Sequence, residues 1–319
     1  MRKPTKPAGD SFSGERLDLY LVRQGIVASR RMARSLISAG YVRVNGFRSR
    51  KGRNVGPGDT VELEQAPGSD ALKPAPELPL DVLYVGAEFL VVSKPGLLPC
   101  HPLGPMDRPT LMNAVVGRFP QAALIGSNPL EGGLVHRLDN GTSGAVMVAL
   151  TEAGLARLRG ALRSGQIHRH YVALVRGKLQ HALEITVPIA HHPRNRRKMI
   201  AVADQRAAAR LKGRPATSVI TPIRQVNDFT LVEVSPRTGA RHQIRVHLAD
   251  AGFPIAGDEL YGGPRMPLLG SGRFFLHLSE LRIPMAVGQD ESSASARSSQ
   301  RPLVVRAPVP DDLRNCLAQ

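Results

Sequence analysis

The stretch GGLVHRLDNGTSGAVMVAL, residues 132–150, decides the reading of this chain. Its second half, AVMVAL, is an uninterrupted apolar run of the length of a strand buried on both faces. Ahead of it, HRLDNGTSG is polar and rich in Gly, Asn, Thr and Ser, the composition of a loop. A loop that feeds a buried strand is a good mount for a reactive side chain, because the strand fixes its position. Asp139 is the one carboxylate in this loop, and Arg137 stands two residues before it. Taken alone, the pair reads first as a turn cap and a surface charge.

Two more segments belong with it. HRHYVALVRG (168–177) follows TEAGLARLRGALRSG, whose Leu155, Leu158 and Leu162 mark one face of a helix. YVALV is apolar on both faces, so a central strand is expected, with Tyr171 largely buried. A lone buried Tyr is by default a core residue whose hydroxyl finds a backbone partner. The third segment is FTLVEVSPRTGARHQIRVHLADAGFPIAGDELYGG (229–263). FTLVEV alternates as a strand, SPRTGA turns the chain, and RHQIRVHLADAG reads as a helix with Ile244, Leu248 and Ala251 on its apolar stripe. At 100° per residue Arg245 falls beside that stripe. An Arg there needs an anion or a carbonyl. A carboxylate such as Asp139 serves, and the pairing keeps that Asp ionised.

The chain ahead of these segments is different. Residues 1–13 read as a basic tail and 14–63 as a small module. RLDLYLVRQG opens a helix, and ASRRMARSLISAG forms a second, with Ser29 as N-cap, Met32, Leu36 and Ile37 as the stripe and Gly40 as the stop. Val42 and Val44 alternate, Asn45-Gly46 is a strong hairpin turn, and Val61 and Leu63 alternate in a last strand. Arg30, Arg31 and Arg34 on the second helix join Arg43, Arg48, Arg50, Lys51 and Arg53 at the hairpin in one cationic surface. Nearly every charge there has one sign, which a merely solvated face does not need. Residues 64–80 are Pro/Ala-rich and read as a linker. Residues 81–319 form the larger domain. Within it 201–214 reads as an Ala/Arg-rich surface insertion, 287–301 as a mobile polar stretch and 302–310 as a returning strand.

Composition bounds the partners. In 319 residues, 43 Lys and Arg stand against 26 Asp and Glu, a formal charge of +17. Such a surplus points to a polyanion, most often nucleic acid, and binding that falls steeply with salt. Aromatic residues make up 4%, with no Trp, which argues against broad base-stacking platforms. No stretch approaches a membrane span, and MRKPTKPAGDSFSGE lacks the apolar core of a secretory signal. Cys100 and Cys316 by themselves make neither a disulfide framework nor a zinc site, so a cytoplasmic protein is expected. No dinucleotide-binding or P-loop glycine motif is present. His168, His170, His191 and His192 lack metal-ligand partners and read as surface or RNA-facing histidines.

Residues 14–63 resemble the small RNA-binding domain first known from ribosomal protein S four. The likeness rests on Arg16-Leu17-Asp18, Ser29-Arg30, Ile37, Gly40, Val42, Val44-Asn45-Gly46 and Gly58-Asp59. It implies binding to structured RNA and no chemistry. Residues 81–285 resemble the RluA family of pseudouridine synthases. Lys94-Pro95 and His101-Pro102 fit its opening strand and loop. His136-Arg137-Leu138-Asp139 with Thr142-Ser143-Gly144, then Tyr171 through Gly177, carry the middle. Arg237-Thr238-Gly239, His242-Gln243-Ile244-Arg245, His247-Leu248, Gly252, Pro254-Ile255, Gly257-Asp258 and Tyr261-Gly262 complete the match.

That resemblance implies an α+β catalytic domain with a mixed, mainly antiparallel sheet and an active cleft across its centre. It implies isomerisation of uridine to pseudouridine in RNA, a reaction needing no redox cofactor and no metal. Asp139 maps to the catalytic residue, Tyr171 to the base-stacking ring, Arg245 to the partner of the Asp, and Arg137 to a residue that fills the place of the flipped base. His136, Arg241 and His242 join Arg30, Arg31, Arg34, Arg43 and Arg48 as expected RNA contacts. The expected partner is large-subunit ribosomal RNA, with tRNA second, and the protein is expected to act as a monomer. A non-catalytic RNA-binding or ribosome-assembly factor and a base-excising hydrolase are the rival classes. Two positions depart from the family pattern. Ala240 stands where Arg is usual, with Arg241 after it, which moves a cationic contact by one position. Gly96 stands where Ala-Gly is common.

Overall fold

The computed structural model describes residues 14–27, 30–38, 40–63, 72–102, 109–284 and 301–318, apart from the side chains of residues 31, 32 and 35. The expected tail (1–13), Ser29, the side chains of Arg31 and Met32 and nearly all of 287–301 thus lie outside the described residues. The chain forms two compact units, one of residues 1–78 with 101–132, the other of 79–100 with 133–319.

In the first unit, β1 (Glu15–Arg16), α1 (Leu17–Arg23), α2 (Arg30–Ser38), β2 (Val42–Val44), β3 (Phe47–Arg48), β4 (Asn54–Val55) and β5 (Val61–Leu63) make the N-terminal module. Strand β2 pairs antiparallel with β3 and β5, and β1 with β4. Both Asn45 and Gly46 have positive φ, 55° and 79°, which suits the twist of a two-residue hairpin. Leu17, Tyr20, Leu21, Leu36, Ile37, Val42, Val44 and Val61 form its core. Two of the arginines expected in the cationic surface, Arg30 and Arg34 on α2, are paired with an acid. Arg16, Arg30 and Arg34 all bind the Asp18 carboxylate, at 2.9, 3.1 and 2.8 Å.

The same unit contains α3 (Leu111–Arg118). Of the expected linker, residues 64–71 are outside the described residues, and within 72–78 two side chains are anchored while Lys73, Pro74, Pro76 and Glu77 are exposed. Leu72 and Ala75 are buried, and their N–H groups donate to Pro129 O and Asn113 O. Leu72 and Ala75 supply enough apolar surface, despite the Pro-rich context, to hold that piece down.

The second unit is built on one nine-stranded sheet, order β10-β13-β14-β9-β15-β8-β7-β6, with β16 also paired to β15. The strands are β6 (Asp81–Val85), β7 (Phe89–Lys94), β8 (Ser143–Ala149), β9 (His168–Arg176), β10 (Leu183–Ile185), β13 (Ser218–Val226), β14 (Phe229–Pro236), β15 (Leu276–Ile283) and β16 (Leu303–Arg306). The hairpin of β11 (Ile189–His191) and β12 (Met199–Ala201) stands apart. The helices are α4 (Glu152–Arg163), α5 (Gln205–Arg210), α6 (Gln243–Asp250) and α7 (Asp311–Asn315). Every sheet pairing is antiparallel except β15 with β8, which run parallel through His277–Ser143 and Leu278–Gly144. The expected α+β class with a mainly antiparallel sheet is what is found.

The run AVMVA (145–149) is buried throughout in β8, with Leu150 half-buried just past its end, and YVALV lies within β9 between β14 and β15. Thr151 caps α4 by accepting the Gly154 N–H at 3.0 Å. The 201–214 insertion carries α5, none of whose residues is buried. Strand β16 realises the expected return. The helix around Arg245 differs from its reading. It begins at Gln243, two residues after the expected start, and every residue from Gln243 to Leu248 is buried while Ala251 is exposed. A one-sided stripe is therefore the wrong picture. Gln243, Arg245 and His247 are polar yet buried because each is hydrogen-bonded.

Candidate active site

The loop ahead of β8 is held along much of its length. His136 Nε2 accepts the Met147 N–H at 3.2 Å. Leu138 N–H reaches Cys100 Sγ at 3.3 Å. Asp139 O accepts the Thr142 N–H, and Asn140 O accepts from Leu97 N–H. Lys94, fully buried, donates to Pro95 O, Leu98 O and Asn140 O at 2.9, 2.9 and 3.3 Å. Burial brings its pKa down to about 8. A cation capped by three carbonyls thus fastens the loop to the end of β7.

Asp139 is held at the mouth of a cleft, with its side chain 26% exposed. Its Oδ2 accepts from Arg245 Nη1 at 2.9 Å. Arg245 gives its other edge to the buried Asp258, Nε to Oδ2 at 2.7 Å and Nη2 to Oδ1 at 2.8 Å. Its guanidinium carbon lies 4.3 Å from the Phe274 ring centroid and 4.9 Å from that of Tyr261. Burial opposes the charge on Arg245, but the bonds and charge of Asp258, with those of Asp139, outweigh it and raise the pKa. The sequence-based partner is therefore present. The second carboxylate, Asp258, was not foreseen: its role needs the turn at Gly257, where φ is 84°, to bring it back against α6.

Tyr171 lines the same cleft. It is 6% exposed, and burial pushes its phenol pKa up. His242 caps α6 in the left-handed region, φ 56°. Its Nδ1 is 2.8 Å from Tyr261 Oη, and its Nε2 is 3.9 Å from Asp139 Oδ1. Burial takes its pKa down to about 4, against the pull of Asp139. His242 is thus a member of the Asp139 cluster as well as a candidate RNA contact.

Arg137, exposed, lines the cleft, joined by Arg169, Thr142, Thr238, Ala240 and Gln243 around a cavity of about 90 Å³. Arg169 was missed from sequence. Its Nη2 donates to Thr238 O at 2.8 Å and holds the turn after β14. Gln243 braces the same turn, accepting from Thr238 Oγ1 and Ala240 N–H and donating to Thr217 O. Ala240 packs partly buried against the cluster of Ile189, Met199, Ala216 and Val246, a place that suits a methyl group better than a guanidinium. Arg241 is exposed and reaches His242 Nε2 at 3.4 Å.

His136, expected as an RNA contact, is tied to the strand behind it. Burial, with Arg169 beside it, brings its pKa down to about 3, and Nε2 is spent on the β8 backbone. His170 is not partnerless either: Nδ1 lies 3.2 Å from both Glu233 Oε1 and Ser235 Oγ. His192 Nδ1 accepts the N–H groups of Arg194 and Asn195 and closes a turn. Arg43 Nη1 donates to Gly46 O at 2.9 Å and is half-buried, whereas Arg48 is exposed. Among the described residues no group of three His, Cys, Asp or Glu side chains is placed to hold a metal ion. No helix there is long and apolar enough to cross a membrane.

The profile of RNA pseudouridylate synthases matches residues 88–250, and that of the S4 domain matches 15–61. An uncharacterized RNA pseudouridine synthase of Chloroflexus aurantiacus is 34% identical over 85% of this chain and 82% of its own. Ribosomal large subunit pseudouridine synthase D of Xanthomonas campestris is 32% identical over 97% of this chain and 90% of its own. Among solved structures, human RNA pseudouridylate synthase domain containing 1 superposes with a TM-score of 0.56 at 26% identity, covering 76% of this chain and 90% of that one. The chain therefore belongs to the RNA pseudouridine synthase family, enzymes that isomerise uridine to pseudouridine, and carries an S4 domain ahead of the catalytic fold.

Proposed function

We propose that this enzyme isomerises specific uridines of large-subunit ribosomal RNA, with Asp139 as the reacting carboxylate. The observation that carries the reading is the Asp139–Arg245–Asp258 chain at the mouth of the cleft beside Tyr171. Two relatives whose names specify the ribosomal large subunit match nearly the whole chain, S4 domain included, which supports that target over tRNA.

The chemistry breaks the bond from C1′ to N1 of uracil, turns the base and joins C1′ to C5. The hydrogen on C5 leaves and a proton ends on N1, so composition is unchanged. A base cannot turn inside a helix and must first be extruded, at a cost of a few kcal/mol. Arg137, exposed at the rim, fills the place the base vacates. The Tyr171 ring gives the extruded base a face to stack on, and with its pKa raised the phenol keeps its proton at neutral pH. Positive charge grows at C1′ as the N–C bond opens, and a carboxylate beside that carbon stabilises it. Arg245 aims that carboxylate, because Asp258 and two rings hold its own guanidinium still. The S4 domain supplies backbone contacts that set where the enzyme sits on the RNA. Chemistry of this kind needs no redox cofactor or metal, and one polypeptide contributes the whole described cluster.

The test is Asp139→Asn on a ribosomal RNA fragment. Turnover is expected to fall on the order of 1,000-fold or more, while RNA affinity stays within about threefold, since phosphate contacts dominate binding. An Asn variant that still turns over contradicts the role of Asp139. Free uracil as the product would transfer the reading to a base-excising hydrolase. A wild-type protein that binds RNA without forming pseudouridine would make it a binding factor on the same fold.

A further inference from the structure

Behind the Asp139 loop lies a second polar network, buried except at the half-exposed Asp312, that the proposed reaction does not use. Arg273 is 3% exposed and spends its whole guanidinium. Its Nη1 donates to Gly141 O at 2.6 Å and Phe274 O at 2.9 Å. Its Nη2 donates to Ser143 Oγ at 2.9 Å and, more weakly, to Asp312 Oδ1 at 3.4 Å. Its Nε donates to Asp312 Oδ2 at 2.7 Å. Gly96 closes over the group: a Cβ there would sit 2.4 Å from Nε.

His277 completes the network, and the hydrogen-bond directions follow from chemistry. Ala307 O only accepts, so His277 Nε2 carries the hydrogen and donates to it at 3.1 Å. His277 Nδ1 then accepts from Ser143 Oγ at 2.9 Å, leaving that oxygen's lone pairs for Arg273. Ala307 and Asp312 both belong to the C-terminal segment 301–318. That segment is anchored by β16 on β15, by Ala307 N–H on Ser279 O and by the buried Leu313 and Cys316.

We propose that Asp312 is a positioning residue for the reaction: through Arg273 the C-terminal segment braces the loop that carries Asp139. The brace has two arms. One is Arg273 to Gly141 O and Ser143 Oγ, which fixes the backbone two residues and a side chain four residues beyond Asp139. The other is Arg273 to Phe274 O, which sets the ring that stacks on Arg245. A buried guanidinium stripped of its carboxylate is badly solvated and turns toward whatever acceptor or water it can reach. Losing Asp312 therefore frees both arms at once. Catalysis is sensitive to such slack, since small misplacements of a reacting group are costly even when caused from afar. Asp312 touches no substrate-facing residue itself, so RNA binding is left alone.

This inference rests on Asp139 being the reacting carboxylate. The experiment uses the full-length enzyme and a ribosomal RNA fragment, with kcat and KM measured at a temperature where thermal melting shows each variant folded. Asp312→Asn is expected to lower kcat about tenfold with KM within about twofold. Asp312→Glu, which keeps the charge, recovers most of the loss and decides the matter if the Asn variant does not fold. Asp311→Asn, whose carboxylate is exposed and pairs with Arg314, leaves both constants unchanged. A folded Asp312→Asn with wild-type kcat overturns the brace, as does an Asp312→Glu variant no better than Asn. Asp139→Asn measured alongside separates the two ideas. If it retains turnover, the assignment of Asp139 fails. If it is inactive while Asp312→Asn runs at full speed, the brace alone fails.

Discussion

Asp18 illustrates how a residue's work depends on what packs around it. In sequence it is an acid in the first turn of a helix, favourable to the helix dipole. In the fold it is 3% exposed and gathers Arg16 from the start of α1 and Arg30 and Arg34 from the first half of α2. Burial alone would raise its pKa, but the hydrogen bonds of Arg16, Arg34 and Arg30 hold it well below the ordinary 3.8. A depressed carboxyl adds stability above its unfolded value, and that stability drains away as the pH falls below about 3.8 toward the folded value. Asp18→Ala is expected to cost the module about 2 kcal/mol at pH 7. Amide hydrogen exchange of α1 and α2 in the intact chain reads it, and unchanged protection would contradict the role. At the catalytic end, Asp139 and Arg245 were legible because a buried Arg demands a partner and the loop offered one carboxylate. Asp258, Tyr261 and Phe274 were not, because nothing in their spacing says that turns return them to one guanidinium.

Elements made of uniform runs were the readable ones. AVMVAL and YVALV became β8 and β9 because an apolar run of that length has few other uses. Helix α6 was readable in existence but not in burial, since its polar residues are satisfied by partners from β13, the residue before it and distant turns. The junction of β8 with β15 was beyond reach, because it pairs residues 134 positions apart. That junction depends on Gly144, which has φ 123° and whose added Cβ would lie 2.3 Å from Leu278 O. Gly144→Ala is expected to destabilise the catalytic unit by about 3 kcal/mol. Gly160→Ala, inside α4 with nothing within reach of the new methyl, is expected to stabilise it by about 0.8 kcal/mol. Denaturant midpoints of the two variants should move in opposite directions; a shift of the same sign for both would refute the argument from close approach.

For the whole molecule, the composition was informative about partner class and silent about architecture. A charge of +17 points to a polyanion, and part of that charge proves to be structural, tied to Asp18, Asp258 and Asp312. The buried histidines set the acid limit. His136 near 3 and His242 near 4 refuse protons that the unfolded chain accepts near 6.5. Between those values the unfolded state binds more protons, so stability falls as pH falls below 6.5. The melting temperature at pH 5 is expected to lie about 5 °C below that at pH 7; an equal or higher value at pH 5 would contradict these neutral, buried rings.

The central claim joins one carboxylate to one RNA mark. Its most direct test maps pseudouridines at single-nucleotide resolution in ribosomal RNA and tRNA from cells with and without the gene, complemented by wild type or by Asp139→Asn. The expected result is loss of one or more large-subunit marks on deletion and their return with wild type alone. Marks restored by Asp139→Asn, or marks lost only from tRNA, would contradict the account.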